Sequence, residues 1–511
     1  MRQCLLIIFL IFLKSSTTLG EKLNTNPFPK DFLFGVTSSA YQIEGGWTED
    51  GKSPNVWDKS THDNPEKILD KSNGDVSCNS YKNYKSDIEA LKDLNIDVYK
   101  FSLSMSRVVP FGKMNHAGLD KFSLSMSRVV PFGKMNHAGL EYYNKLIDDL
   151  VAINVKPMVV LFHWDTPEDL QKMGGWTNPF MAKYFVEYAR IAFETFGDRV
   201  KYWITFNDPF NFCLRTNTNG NFPPYDVMDY RLTYLCSYVI LKAHADVYRL
   251  YNNSFKHIQN GMLSMSLESP WFEPASAKPS DIKAAENLFT YTLGQFADPI
   301  FNNGQYPAAM QDDISSMSLA EGYLTNRLPK FTNDEITHIR NSADFFALNC
   351  NAEIKVYGKN YNESDPSSIY KDAGVEPIFK EGWNVSSSWI KATPLAFRKI
   401  LKKIKADYKN VPIYVTECGF PDGGESEDYD RIQFHQSYLS SLLDSIHEDK
   451  VTVIGYNVRS LMDCFEWNEG YTAKYGLYQA DDKTRTPKLS SVAYKEIIHN
   501  RKLPADLIKK P

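Results

Sequence analysis

Two carboxylates in this chain sit at the ends of apolar runs. Ile413-Tyr414-Val415-Thr416 leads to Glu417, and the run from Val200 to Phe206 leads through Asn207 to Asp208. The β-favouring residues ahead of each predict short buried strands. A carboxylate at the outer end of such a strand faces whatever lies beyond it. Structural ion pairs also place carboxylates there, so neither residue is decisive alone. Other predicted strand ends carry similar groups. Gln42 and Glu44 follow the first, His163-Trp164 the third, Asn349 and Asn351 the sixth, and Arg459, Asp463, Glu466 and Trp467 the last. Amides, an imidazole, carboxylates and indoles on one face suit a sugar, whose hydroxyls need paired donors and acceptors and whose apolar ring face stacks on indole. Two carboxylates working without metal or cofactor suit glycoside hydrolysis. A separation of roughly 5–5.5 Å gives retention, and about 6.5–9.5 Å leaves room for an inverting water. Either route needs one carboxyl ionised and the other protonated near the working pH.

The elements that must position these residues can be read from the alternation of β-like and helical patterns. Candidate strands cover 32–39, 97–104, 156–163, 200–208, 261–269, 344–351, 412–419 and 453–463. Helical stretches at 142–153, 180–196, 232–251, 284–297, 394–408 and 430–446 lie between them. Such repetition predicts an α/β fold, a (β/α)8 TIM barrel in a single large domain, with its active site at the C-terminal ends of the strands. No Gly-rich phosphate loop follows the first strand, which argues against a dinucleotide-binding sheet.

The 511 residues are 43% hydrophobic and carry a net charge of −5 without a basic block, so nucleic acid is not an expected partner. Residues 1–20 pair a basic start with the apolar run Leu5 to Leu13, the pattern of a secretory signal peptide. No later apolar run approaches the ~20 residues of a membrane span. The expectation is therefore a secreted, extracellular protein, with a barrel over 21–505 and a short tail at 506–511. Sequons at Asn252, Asn362 and Asn384 fit that compartment. Of the seven cysteines Cys4 lies in the leader, and the wide spacing of the rest predicts no zinc site. A Cys213–Cys236 disulfide is allowed. Cys350, Cys418 and Cys464 are expected to be free core thiols.

One feature departs from ordinary sequence. Lys100 to Leu119 is repeated letter for letter at Lys121 to Leu140, and the next residues are Asp120 and Glu141. Two identical copies point to a tandem duplication, or a duplicated exon in the gene model, rather than a solenoid. A single barrel strand can use one copy. The flank Ile96-Asp97-Val98-Tyr99 favours the first copy as strand, and Glu141-Tyr142-Tyr143 favours the second as the start of a helix. The extra 21 residues are then expected in the loop at the catalytic end.

The motifs FPKDFLFGVTSSAYQIEGGW (28–47), LFHWDTP (161–167), YWITFNDP (202–209), YVTECG (414–419) and SLMDCFEWNEGYTAKYGLY (460–478) together resemble glycoside hydrolase family 1, the β-glucosidase, lactase and myrosinase family. The resemblance runs from about Phe28 to Ile498. It implies a retaining β-glucosidase-like enzyme that needs no cofactor and acts on a small β-glycoside by double displacement, and with the leader and the lack of a later apolar run the expectation is a secreted enzyme with no membrane partner. It carries no expectation about oligomeric state. On it, Glu417 takes the nucleophile's place and Asp208 that of the acid/base. Gln42, His163, Asn207, Asn349, Glu466 and Trp467 take substrate-binding places. Arg107 or Arg128, the two copies of one residue, would support the nucleophile. Four departures stand out. Asp208 replaces the Glu of an N-E-P motif, Arg459 a sugar-stacking Trp, Asn351 a Tyr that hydrogen-bonds the nucleophile, and Cys418 the Asn of T-E-N-G. Met105 and Met126 also replace a usual Trp. The shortened acid suits a thioglucosidase, whose leaving group needs less protonation. The departures together suit an impaired homologue that binds a glycoside or a partner.

Overall fold

The computed structural model describes residues 22–110, 135–508 and 510, apart from 219, 221, 226–228, 363 and 379–391. The described strands are β1 (Leu33–Thr37), β2 (Val98–Ser102), β3 (Lys156–Phe162), β4 (Tyr202–Asn207), β5 (Met262–Pro274), β6 (Phe346–Gly358), β7 (Val375–Ile378), β8 (Ile413–Gly419), β9 (Val453–Arg459), β10 (Tyr478–Ala480) and β11 (Arg485–Pro487). The order β5-β4-β3-β2-β1-β9-β8-β6 is parallel throughout and closes through pairing of β5 with β6. This is a (β/α)8 barrel, and each of its eight strands begins within a run read from the sequence.

Two strands exceed their expected lengths. β5 and β6 run on together, with Trp271 to Pro274 beside Glu353 to Val356, and β7 adds antiparallel to the extension of β6. Pro270 sits at a register shift between Ser269 and Trp271, where a ladder donor is dispensable, so the strand continues past it.

Alternation along each strand builds the barrel interior in layers. Val98, Met158, Val160, Ile204, Phe345, Ala347 and Tyr414 form a dry plug of fully buried side chains. Two residues further along the same strands come Lys100 after Val98, Asn349 after Ala347 and Thr416 after Tyr414. Side chains two apart share a face, so the apolar plug is overlain by a polar layer at the C-terminal ends.

The duplicated segment resolves in favour of its first copy. Lys100 lies in β2, and a short helix at Met105–Val108 follows. The end of the second copy starts the helix His137–Ala152. The flanks meet where the Asn136 amide donates to the Val108 carbonyl at 3.0 Å. Residues 111–134, including Arg128 and Met126, lie outside the described residues.

Cysteine pairing corrects the sequence expectation. Cys213 and Cys236 are bonded, joining the helices Pro209–Thr218 and Arg231–Ser254. Cys350 and Cys418, expected to be free, are bonded across β6 and β8 with Cα atoms 5.1 Å apart. Among the described residues Cys78 and Cys464 remain buried thiols. Asn252 and Asn362 are exposed, and Asn384 falls outside the described residues. Among the described residues no helix is long and apolar enough to cross a membrane.

Candidate active site

Glu417 emerges at the end of β8 as a nearly buried carboxylate, 9% exposed. Two cations grip it. Lys100 Nζ lies 3.2 Å from Oε2, and Arg459 Nη1 lies 3.3 Å from Oε1. Lys100 is fully buried and also donates to Asn207 Oδ1 at 2.7 Å. Burial pushes the Glu417 carboxyl up, but Lys100 and Arg459 more than offset this and hold it below its ordinary value.

Asp208 follows β4 in the left-handed region, at φ 46°, a conformation Asp tolerates. Its backbone N–H donates to Ser266 O at 3.0 Å, tying the turn to β5. Asn349 Nδ2 donates to Asp208 Oδ1 at 2.8 Å, and Asn207 Nδ2 to Oδ2 at 3.3 Å. Burial, then the charges of Glu268 and Glu417, hold the Asp208 carboxyl well above its ordinary value against the pull of Lys100. The two carboxyls are thus driven apart, Glu417 towards the ionised form and Asp208 towards the protonated one.

The remaining expected residues converge on the same end of the barrel. Asn207 ends β4, and its Nδ2 meets His163 Nε2 at 3.2 Å. Burial brings the His163 pKa down to about 3, so the ring is neutral. With Nε2 accepting from Asn207 the ring proton sits on Nδ1, which has no partner among the described residues. Asn349 Oδ1 accepts from Thr416 Oγ1 at 2.8 Å and Ser266 Oγ at 2.9 Å. Gln42, in a short helix Ala40–Ile43 just after β1, donates to Phe465 O at 2.7 Å and Glu466 Oε2 at 3.1 Å. Trp467 packs among aromatic rings, 4.8 Å from Trp57, 5.1 Å from Trp164 and 5.8 Å from His163 between centroids.

Arg107 is not where the resemblance placed it. Its Nε meets Glu44 at 2.9 Å and its guanidinium covers the Tyr81 ring at 3.8 Å, so the pair forms a buried strut beside the site. Lys100, seven residues earlier, contacts Glu417 instead. A lysine inside an apolar strand was the available signal. A strand buried on both faces does not reveal which alternate residues point inward.

Arg459 is more than a missing stacking platform. It spans Glu417 and Glu466, binding each through a different nitrogen, and lies 4.3 Å over the Tyr475 ring. Its side chain is 26% exposed, against 4% for Glu466. Glu268 was not singled out in the sequence. It lies opposite Asn349 in the β5–β6 register and accepts from Asn211 Nδ2, in the helix that Asp208 precedes. The side chain of Asn351 lies outside the described residues.

The sequence matches the Glycosyl hydrolase family 1 profile over residues 24–121 and again over 119–503. The chain belongs to this family. The two matched stretches meet at the boundary of the duplicated segments, as expected if one copy is additional to the family's ordinary length. Myrosinase 1 of Brevicoryne brassicae is 39% identical over 486 residues, covering 93% of this chain and 99% of that protein. The cytosolic beta-glucosidase of Homo sapiens is 37% identical over 490 residues, covering 94% of this chain and 100% of that protein. An aphid myrosinase structure superposes with a TM-score of 0.84 at 38% identity, covering 93% of this chain and 99% of that one. The chain is a β-glucosidase-like glycosyl hydrolase, the class of enzyme that acts on small β-glycosides.

Proposed function

We propose that this hydrolase retains anomeric configuration, with Glu417 as nucleophile and Asp208 as acid and then base. The observation that carries this reading is the opposite bias of the two carboxyls. Glu417 is gripped by Lys100 and Arg459, and Asp208 is buried beside Glu268. In the first step Glu417 attacks the anomeric carbon while Asp208 gives its proton to the leaving oxygen. In the second, Asp208 takes a proton from water, which displaces Glu417 from the sugar. His163 Nδ1, Gln42, Asn207 and Glu466 supply the polar contacts to the sugar, with Trp467 beside its ring.

The decisive test is covalent labelling. An activated 2-deoxy-2-fluoro glucoside should form a stable adduct on the peptide containing Glu417, even with a weak acid. Wild-type protein that binds the sugar without forming the adduct would instead support a glycoside-binding homologue, disabled by the Arg459 bridge. A second reading is favoured by the relatives named myrosinase together with the shortened acid: hydrolysis of a thioglycoside. It fails if purified protein turns over an aryl O-glucoside faster than a glucosinolate. Delivery through the secretory route is part of the proposal. Two disulfides support it, since such bonds persist in oxidising compartments.

A further inference from the structure

Cys350 and Cys418 are the residues immediately after Asn349 and Glu417, which face each other in the β6–β8 register. Asn349 connects the two halves of the reaction. Its amide nitrogen holds Asp208, and its oxygen accepts from Thr416, the residue before Glu417. The strand ladder is irregular at this level. The β6–β8 register shifts between Leu348 and Asn349, and the β8–β9 register shifts between Val415 and Cys418. A bulge aims side chains but interrupts the hydrogen bonds that would fix the strand edges. The covalent link therefore sits where backbone pairing does least to hold the carboxylates in place.

We infer that the Cys350–Cys418 disulfide is a positioning element of the active site, fixing the spacing of Glu417 and Asp208 through Asn349 where the strand ladder is irregular. It rests on the glycosidase reading above. Displacement of about 1 Å at reacting groups can lower a rate ~10²-fold, so a modest relaxation of this rung is measurable. Unlike a link between surface loops, it should act on the chemical step more than on substrate capture.

The test compares wild type, Cys350→Ala/Cys418→Ala, and a control lacking the other link, Cys213→Ala/Cys236→Ala, each at matched folded fraction by circular dichroism. Peptide mapping first establishes which cysteines are bonded in wild type. The expected result is a loss of at least about tenfold in kcat and in the rate of Glu417 labelling for the Cys350/Cys418 variant, with KM within about twofold. The two limbs of its pH profile should also draw together. The control should keep wild-type kcat. Equal labelling rates in wild type and the Cys350/Cys418 variant would overturn the inference, as would unpaired Cys350 and Cys418 in wild type or an equal loss in the control. Wild type that fails to label with the bond intact would overturn the glycosidase reading, and this inference with it.

Discussion

At the scale of single residues, Glu417 keeps the carboxylate that the family resemblance puts in the nucleophile's place, and the residues around it differ. Asp208 is one methylene shorter than the acid the family resemblance implies, which draws the carboxyl back by about 1.5 Å, one carbon–carbon bond. Asp208→Glu should raise kcat by roughly 10–10² on substrates with poor leaving groups and far less on activated aryl glycosides. Steady-state rates across a leaving-group series check this. The pH profile follows from the two biased carboxyls. With the proposed roles, activity should rise as Glu417 ionises, with a pKa lowered by Lys100 and Arg459 against burial, and fall as Asp208 loses its proton, with a pKa raised by burial and Glu268. Replacing Arg459 with Trp removes a cation from Glu417, raises its pKa and should move the acid limb to higher pH. Glu268→Gln removes an anion near Asp208, lowers its pKa and should move the basic limb to lower pH. Full kcat/KM profiles of the two variants separate these effects, and a shift of both limbs in either one would contradict the assignment.

At the scale of elements, the strands were legible because apolar runs of strand length recur between helical patterns. Facing was not legible. Lys100 and Arg107 belong to one continuous stretch, and only the shared face of Val98 and Lys100 shows which of them reaches Glu417. The disulfide across β6 and β8 was hidden for a related reason, since two cysteines 68 positions apart become neighbours only once the strand order is known. The duplication has a physical solution in its flanks. The first copy is preceded by Tyr99, buried and stacked on Phe101, whereas the second is preceded by Asp120, which would bring an unpaired charge to that place. Removing residues 111–131 restores one uninterrupted copy with both favourable flanks. The shortened chain should fold, retain its activity and gain about 1 kcal/mol from the shorter connection between Pro110 and Met135. Thermal unfolding and kcat of the excised chain test this, and loss of the fold would show that the segment is structural.

At the scale of the whole molecule, the barrel is closed by more than its strands. The Leu23 amide donates to Ala505 O at 3.3 Å, and Phe28 to Arg501 O at 2.9 Å, so the start of the described chain is tied to the segment that follows its last helix, Leu489–Asn500. The Cys213–Cys236 link closes a stretch with a sequence separation of 23 between two helices, and neither cysteine touches Glu417 or Asp208 through a side-chain hydrogen bond or ion pair. Its removal should lower stability by about 3 kcal/mol, read as a fall in melting temperature without a change in KM. The aromatic cluster around Trp467 has a further consequence. Three indoles, Trp57, Trp164 and Trp467, lie with neighbouring centroids 4.8 and 5.1 Å apart, with Trp467 also stacked beside His163. Chromophores this close couple optically, so they should give a distinct near-ultraviolet dichroic band and a quenched emission. A sugar settling against Trp467 would perturb both, giving the protein an intrinsic optical gauge of occupancy that needs neither turnover nor a label.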